Sequence, residues 1–423
     1  MKLRITPKRR RKFLNPLNLK AWIGAFARRD PNSAPMSITT IVDRYLDDTH
    51  ATGLKEEPAS LEMLREGLGA VLAEVWDIRV EAGIVQGATI LDRVRKGGKE
   101  WLCIPSATVL NLNTGFNHKL LSTTGTITAG SACLYSCWYC SVGSSMFRSP
   151  QTRILRLLGI KHREAMLRRE DPVETLRQQL TFRNGEPRYK GPADYGTVIM
   201  SPIVDPLPNE ELMNESLELT ALIHELTNWE VRLLTKSGLV KRYAEGIPDE
   251  HHDRVIFGLS LGILDEGIRK AVEKMTAPLS VRLDAYRWLQ ENGFRTYSMP
   301  CPVLPQKNYR DYAHRLMETM NWDKDEHIWC EALNARGQSN QLTIDALREA
   351  GYACEADLLM DATSSREAWE IDYNRPLFQA MVEVCPPAKL RYLVYAEPQH
   401  RDFWLAQRDR GAVVLGKDTK LDD

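Results

Sequence analysis

The chain has 423 residues, 43% of them hydrophobic and 26% charged, and its formal net charge is zero. Such a composition is typical of a soluble globular protein with one large domain or a few smaller ones. The longest apolar run, Val255–Leu264, is too short for a transmembrane helix, and the basic leader lacks the apolar core of a secretory signal. Membrane-spanning and secreted classes are therefore excluded, while an organelle transit peptide stays open.

The charge is unevenly distributed along the chain. Residues 1–30 contain ten Lys/Arg and one acid, and Arg148–Lys190 contains eleven Lys/Arg and five acids. Each basic zone has two interpretations: a solvated surface, or a contact with nucleic acid or another acidic surface. We expect residues 1–58 to form a mostly flexible basic arm.

Residues 59–123 are predicted to form a small N-terminal layer. Ser60 has the character of a helix N-cap with Glu62 in the first turn, and a helical apolar pattern follows. Two short apolar runs, Leu102–Ile104 and Val109–Leu112, are typical of strands or loops.

The next feature is a run of three closely spaced cysteines. Thr124–Ala129 is a candidate strand that leads into Cys133-x3-Cys137-x2-Cys140. Three thiolates this close can converge on one soft metal centre, and a closed iron–sulfur cubane takes four, so one iron would stay open. Three alternatives are buried core cysteines on one helix face, a zinc site and a ferredoxin-like site.

The other five cysteines show no disulfide-type spacing. They are Cys103, Cys301, Cys330, Cys354 and Cys385. This pattern indicates a reducing compartment, so we expect a cytoplasmic protein.

Strand and helix patterns alternate after the cysteines. Ile154–Leu158 and Glu164–Leu180 have helical patterns. The predicted strands that follow are Tyr195–Ser201, Glu230–Thr235, Arg254–Leu261, Arg295–Met299 and His327–Leu333. The predicted helices between them are Glu210–Thr227, Gly238–Gly246, Asp265–Met275, Leu279–Asn292 and Tyr309–Met320.

This alternation predicts an α/β fold with a parallel sheet, specifically a partial (β/α)6 TIM-like barrel with N-terminal and C-terminal extensions. We place the barrel at residues 124–340, with residues 148–190 as a basic insert. Residues 341–423, which include the apolar strand Leu390–Tyr395, are expected to form a C-terminal closing region.

The cysteine spacing, with Tyr139 directly before the third cysteine, resembles the signature of radical S-adenosylmethionine (SAM) enzymes. The resemblance implies a [4Fe–4S] cluster on Cys133, Cys137 and Cys140, whose open iron binds SAM. It also implies a reductant such as flavodoxin or ferredoxin. One-electron reduction would then cleave SAM to methionine and a 5′-deoxyadenosyl radical, which abstracts hydrogen from a substrate.

Later strand ends are similar to those of one subgroup, the spore photoproduct lyase family and its DNA repair photolyase relatives. The segments that carry this similarity are Ser201–Pro206, Leu233–Ser237, Phe257–Leu261 and the helix Leu279–Gly293 with Arg282. The similarity covers residues 124–337, about half of the chain.

Site residues follow from the resemblance position by position. Tyr139 would pack on the adenine of SAM, and Lys236 would bind its carboxylate. Ser260 suits the carboxylate or ribose, while Ser201 and Asp205 suit the amino group or the floor of the site. Each of these is alternatively a structural polar group at a strand end.

The sequence departs from the subgroup at the hydrogen donor. Spore photoproduct lyase uses a cysteine near the cluster, whereas this chain has Ser141 after the third cysteine and Met200 at the second strand end. The resemblance therefore does not carry thymine-dimer reversal over. Cys301 and Cys330, near later strand ends, are the candidate catalytic thiols, and the alternative is that both are buried hydrophobes.

The resemblance thus implies a radical SAM enzyme, and the basic zones favour a nucleic acid as its substrate. One alternative is radical modification of a peptide, protein or small molecule. Another, of a different class, is a non-catalytic iron–sulfur protein that transfers electrons or binds a partner.

Overall fold

The computed structural model describes most of the chain. The described residues are 13–29, 38–49, 51, 54, 57–76, 78–81, 84–87, 92–104, 108–112, 114–140, 155, 160–334 and 338–416. Parts of three predictions lie outside them: the start of the basic arm, Ser141, and the helix at Ile154–Leu158 except for Leu155. No helix among the described residues has both the length and the apolar character needed to cross a bilayer.

The chain divides into two compact units. The first comprises Met1–Pro105, Gly130–Cys133 and Ser141–Glu170. The second comprises Ser106–Ala129, Leu134–Cys140 and Asp171–Asp423.

The first unit contains three helices and two small sheets. Its helices are α1 (Pro16–Arg29), α2 (Ile38–Asp48) and α3 (Pro58–Trp76). Its strands are β1 (Ile78–Glu81), β2 (Ile84–Gly87), β3 (Asp92–Lys96), β4 (Lys99–Ile104), β7 (Gly130–Ala132) and β8 (Ala165–Arg169). The helices bury a shared core that includes Ile23, Leu46 and Leu64. The predicted N-cap at Ser60 is wrong, because α3 already begins at Pro58 and the Ser60 hydroxyl donates to Glu57 Oε2 at 2.8 Å.

The prediction of a helix over Glu164–Leu180 is half wrong. Residues Ala165–Arg169 form β8, which pairs in parallel with β4 and antiparallel with β7. Ala165 and Leu167 are buried in a cluster with Leu102 and Ile104, so this pairing buries apolar side chains that a surface helix would expose.

The second unit is built on a nine-stranded sheet. Its further strands are β5 (Leu110–Asn111), β6 (Gly125–Ile127), β9 (Tyr195–Met200), β10 (Asn228–Thr235), β11 (Val255–Ser260), β12 (Arg295–Met299), β13 (Asp325–Cys330), β14 (Leu390–Tyr395) and β15 (Ala412–Leu415). The order is β15-β14-β13-β12-β11-β10-β9-β6-β5, and every neighbouring pair is parallel except β5 with β6. All six residues of β11 are buried, as expected for a strand covered on both faces.

The structure has two more parallel strands than the expected (β/α)6 barrel. Eight strands, β6 and β9 to β15, run parallel in chain order. Both β14 and β15 lie in the segment that was expected to close the barrel, and they extend the same sheet. No pairing joins β15 to the β5 edge among the described residues, so the sheet order is open there.

Helices alternate with these strands. They are α4 (Pro172–Leu180), α5 (Glu210–Leu226), α6 (Val240–Glu245), α7 (Glu266–Val272), α8 (Leu279–Glu291), α9 (Tyr309–Met320), α10 (Ser339–Glu349), α11 (Ala353–Ala362), α12 (Arg375–Val384) and α13 (Arg401–Leu405). Between α11 and α12 lie a helical turn, Arg366–Ala368, and a π-helix, Trp369–Asn374. The 3-10 segments are His162–Glu164, Asp249–Arg254, Trp322–Lys324, Pro398–His400 and Arg408–Arg410.

Side-chain caps fix where several of these helices begin. The Asn209 side chain accepts from Leu212 N at 2.9 Å before α5, and Asp265 accepts from Ile268 N at 2.8 Å before α7. Each cap satisfies a backbone donor that has no partner within the helix. The caps thus place the helix starts beyond the carboxyl ends of the strands.

One face of the sheet carries a single hydrophobic cluster. It includes Ile199, Ile256, Tyr297, Trp329, Leu393 and Leu415, from six different strands. Residues 116–121 cover this face, since Arg232 donates to Leu121 O at 2.8 Å and Trp329 donates to Lys119 O at 2.9 Å. The side chains that follow these strands therefore gather at the carboxyl edge of the sheet.

Asp325, at the start of β13, is hydrogen-bonded to side chains of β12 and α8. Its carboxylate accepts from Tyr286 OH at 2.6 Å, Thr296 Oγ1 at 2.8 Å and Gln290 Nε2 at 3.0 Å, and also from Ser298 Oγ. Burial raises the pKa of Asp325, and these donors act against that rise.

We predict that Asp325→Ala destabilises the protein by about 3 kcal/mol or more, because four buried donors lose their acceptor. Asp323→Ala, at an exposed position two residues away, should change stability by less than about 0.5 kcal/mol. Urea unfolding followed by circular dichroism measures both. Equal stability of the two variants would contradict the assigned role of Asp325.

Candidate functional site at the carboxyl edge of the sheet

The segment 133–140, called here the cysteine loop, is a series of turns. Cys140 N donates to Cys137 O at 3.1 Å, and Ser136 has a left-handed backbone with φ of 53°. The loop is not helical, so the alternative of core cysteines on one helix face is wrong. Cys137 is buried, while Cys133 and Cys140 are half-buried.

The donor chemistry of the loop fits an iron–sulfur cluster. All three cysteines are thiols rather than disulfides. Across the described part of the chain, no group of three or more His, Cys, Asp or Glu side chains is close enough to hold a metal ion. The fit therefore rests on ligand type and spacing, which suit a cluster with one open iron and leave zinc without a fourth ligand.

The dipeptide between the last two cysteines docks on the end of α7. Trp138 N donates to Val272 O at 2.9 Å, and the Tyr139 hydroxyl donates to Glu273 Oε1. Lys274 Nζ lies 5.9 Å from the centre of the Trp138 ring. Three consecutive residues at the end of α7 therefore hold the centre of the cysteine loop.

Lys236 lies where the loop meets the strand ends. Its ammonium donates to Ser260 Oγ at 2.8 Å and lies 3.1 Å from Glu273 Oε1. It also lies 5.4 Å from the centre of the Tyr139 ring. Tyr139, Lys236 and Ser260, which the resemblance assigns to one cofactor, are thus brought together.

Glu273 links these groups and was not predicted. It is 2% exposed, and its second oxygen binds Arg282 Nη2 at 2.7 Å. Burial alone raises the pKa of Glu273, but Lys236 and Arg282 outweigh this effect and lower the pKa to about 2. The carboxylate therefore stays ionised between two cations.

Asp205 shapes the turn after β10. Its carboxylate accepts from Lys236 N at 2.7 Å, Thr235 Oγ1 at 2.7 Å and Leu207 N at 2.9 Å. Burial raises the pKa of Asp205, and these three donors counter the rise. Asp205 thus holds the backbone from which the Lys236 side chain projects.

Ser201 directly follows β9 and has an unusual backbone. Its φ is 46°, in the left-handed region, and its N–H donates to Ile127 O at 2.6 Å. The residue is buried next to β6. Its assignment to SAM stays a prediction.

Cys301 follows β12 and belongs to a second polar group at the same edge. Its thiol donates to Glu331 Oε2 at 3.1 Å, and Lys119 Nζ lies 3.8 Å from the same oxygen. Ser260 Oγ donates to Cys301 O at 3.2 Å, which joins this group to Lys236. Burial, followed by the charge of Glu331, raises the pKa of the Cys301 thiol well above its usual range.

Cys330, the other candidate thiol, is fully buried at the end of β13. Burial raises the pKa of the Cys330 thiol well above its usual range, so its surroundings are those of a core residue. This environment favours the alternative of a small buried hydrophobe for Cys330.

Sequence reasoning missed Glu273, Glu331 and Lys119. Glu331 was detectable, because it directly follows Cys330 at a predicted strand end. Glu273 lay inside the predicted helix Asp265–Met275, and that helix ends at Val272. Lys119 comes from a segment with no motif, so its place at this edge depends on tertiary structure.

Residues 181–190 of the second basic zone lie at the other end of the sheet. Tyr189 forms an isolated parallel β-bridge with Thr227, which directly precedes β10, and the chain then enters β9 at Tyr195. Within this zone Arg188 stacks 4.9 Å from the centre of the exposed Phe182 ring. These basic side chains are therefore remote from Lys236, which follows the carboxyl end of β10.

Comparisons with known proteins give weak structural likenesses. No family model and no curated protein matches the chain. A cysteine-to-serine variant of spore photoproduct lyase is 12% identical, with a TM-score of 0.45, over 68% of this chain and 80% of that one. A double variant with bound AdoMet and dinucleoside spore photoproduct is 13% identical, with a TM-score of 0.43 over the same shares.

We predict that Cys301 resists alkylation in the native protein at pH 8, because its raised pKa keeps the thiol protonated. The exposed Cys354 should react and serves as the internal reference. Glu331→Gln should increase the Cys301 rate, since it removes the carboxylate that raises this pKa. Peptide mass spectrometry after iodoacetamide treatment measures both sites. Equal rates at Cys301 and Cys354 in the native protein would contradict the assignment.

Proposed function

We propose that this chain is a radical SAM enzyme with a [4Fe–4S] cluster on Cys133, Cys137 and Cys140. It cleaves SAM reductively to methionine and a 5′-deoxyadenosyl radical, which takes a hydrogen atom from a substrate. The cluster, when bound, supplies the electron for this cleavage. The electron itself comes from a protein reductant such as flavodoxin or ferredoxin.

One observation carries the proposal: Lys236 lies against both Ser260 and the ring of Tyr139, the residue before Cys140. These three residues come from two strand ends and from the cysteine loop, so their convergence depends on the fold. A polar edge of this kind is where parallel α/β sheets usually bind ligands.

The residues have complementary roles toward SAM. Lys236 presents a cation to the carboxylate, and Ser260 adds a hydroxyl to the carboxylate or ribose. Tyr139 offers its ring to the adenine. Ser201 and Asp205 form the floor of the site, and Asp205 orients the Lys236 backbone through its 2.7 Å hydrogen bond.

Cys301 is the better candidate for a catalytic thiol. It is partly exposed at the strand-end edge and bonded through its carbonyl to Ser260, whereas Cys330 is fully buried. A protonated thiol can give a hydrogen atom to a substrate radical, which leaves a reduced product and a thiyl radical on Cys301. We assign Cys301 as this donor.

The proposed substrate is a nucleic acid, supported by the basic N-terminal arm and by the basic zone at residues 148–190. Residues 181–190 of the zone lie at the opposite end of the strands, so this support concerns docking rather than chemistry at Lys236. Thymine-dimer reversal is not proposed, because Ser141 and Met200 stand where a donor cysteine would be needed. We place the enzyme in the cytoplasm, since its eight cysteines are all thiols.

We predict that the reconstituted, reduced protein forms 5′-deoxyadenosine from SAM under anaerobic conditions. Cys137→Ala should abolish this product, because it removes a cluster ligand, whereas Cys354→Ala at an exposed position should retain it. Liquid chromatography with mass spectrometry measures the product. Full cleavage by the Cys137 variant, or none by the wild type, would disprove the proposed reaction.

We predict that the protein binds single- or double-stranded nucleic acid at low salt, with affinity that falls as salt rises. Binding that survives removal of residues 1–12, which keeps the core helix α1, would assign docking to the second basic zone. Arg183→Ala with Arg188→Ala should then weaken it further. Fluorescence anisotropy measures each affinity. If no nucleic acid binds at low salt, the substrate is a peptide, protein or small molecule instead.

A further inference from the structure

The end of α7 contains a buried set of charges that no motif indicates. Glu273 is 2% exposed, and the side chain of its partner Arg282 is 1% exposed. The Lys236 side chain, at 13%, is the least buried of the three. We call Tyr139, Lys236, Glu273 and Arg282 the Glu273 network.

The network joins three separate parts of the chain through one carboxylate. Oxygen Oε1 accepts from the Tyr139 hydroxyl of the cysteine loop and pairs with Lys236 at 3.1 Å. Oxygen Oε2 pairs with Arg282 of α8 at 2.7 Å. Arg282 is itself fixed, since its Nε donates to Ala277 O at 2.8 Å. Both oxygens of Glu273 are therefore engaged by groups whose positions are set by different elements.

Two carboxylates face the cations of the network. Lys236 and Arg282 both pair with Glu273, and the buried Asp205 carboxylate accepts from Lys236 N at 2.7 Å. The neighbouring Arg269 is paired separately with Glu266 at 2.8 Å. Glu273 is therefore the carboxylate that holds Lys236 and Arg282 on one centre.

Lys236 is the cation of the network with a donor left for a ligand. Among the described residues, its ammonium has Ser260 and Glu273 as polar partners, and an ammonium carries three donors. The ring of Tyr139 lies 5.4 Å away on the side of the cysteine loop. A carboxylate approaching from the loop could therefore take the third donor without displacing either partner.

We propose that Glu273 is a positioning residue that locks Tyr139 and Lys236 into one arrangement for binding the carboxylate of SAM. This inference rests on the proposed function, and it adds a residue with no counterpart among the strand-end motifs. Glu273 makes no contact with the ligand itself; it acts through the two side chains that do.

The test compares SAM binding by reconstituted wild-type, Glu273→Gln and Glu370→Gln proteins. Glu370 is the matched control: it is 1% exposed, pairs with Arg375 at 2.9 Å and accepts from Trp404 Nε1 at 2.6 Å. Loss of either carboxylate removes the ion-pair partner of an arginine, the buried Arg282 or the half-buried Arg375, so both variants should lose stability. Only Glu273→Gln should weaken SAM binding, by about 10-fold or more, as supporting contacts of a site typically do.

The direction of the change in SAM affinity distinguishes a positioning role of Glu273 from a purely electrostatic one. Removing the charge of Glu273 makes the network more positive, which by itself would tighten binding of an anion. Positioning predicts weaker binding despite that gain. Glu273→Asp keeps the charge but shortens the side chain, so it should also weaken binding, and it serves if the Gln variant does not fold.

A double-mutant cycle provides a second readout. Tyr139→Phe removes the single hydroxyl that ties the cysteine loop to Glu273. If Glu273 acts through Tyr139, the two changes should not be additive. Tyr139→Phe should then reduce SAM affinity less in the Glu273→Gln protein than in the wild type.

Equilibrium titration of SAM, monitored by the electron paramagnetic resonance spectrum, gives the affinities, and iron content is measured in parallel. Affinity unchanged or tighter in Glu273→Gln, with wild-type iron content, would overturn the inference and leave the proposed function standing. Absence of SAM binding by the wild-type protein would overturn the proposed function instead.

Discussion

The candidate site depends on one buried carboxylate shared by two cations and a phenol. Breaking a buried pair of this kind leaves an uncompensated charge, which typically costs about 3–5 kcal/mol. The fold must therefore supply partners for the Glu273 carboxylate. They come from the end of β10, from α8 and from the cysteine loop, which all meet at the end of α7. Stability and the geometry of the site are thus coupled at this residue.

The two polar groups at the carboxyl edge differ in charge. The Glu273 network holds two cations next to the cysteine loop. The second group pairs Lys119 with Glu331 at 3.8 Å, and its thiol, Cys301, is held protonated. Ser260 touches both groups through Lys236 and the Cys301 carbonyl. This arrangement places a cation suited to an anionic cofactor next to a neutral hydrogen source.

Local sequence patterns predicted the regular part of the fold well. The strand β12 and the helix α9 have the predicted bounds: four of the five residues of the strand are buried, and the Asn308 side chain caps the start of the helix. Patterns failed where pairing partners decide the outcome. Residues Ala165–Arg169 are strand because β4 and β7 flank them, and the four-residue β15 is too short to show a period.

The site was predictable only where a motif exists. The strand-end segments identified Lys236 and Ser260, and the cysteine spacing identified the loop between Cys133 and Cys140. Glu273 and Lys119 carry no motif, since their roles arise from side chains that meet across the sheet edge. A charged residue that positions two other side chains has no characteristic sequence spacing by which it could be found.

The central claim is that the three cysteines hold a cluster whose open iron binds SAM next to Lys236. The most direct measurement is the electron paramagnetic resonance spectrum of the reconstituted, reduced protein with and without SAM. The account predicts a [4Fe–4S]⁺ signal whose shape changes when SAM is added, and loss of this change in Lys236→Met. A cluster signal that is identical with and without SAM would contradict it and indicate an iron–sulfur protein of another kind.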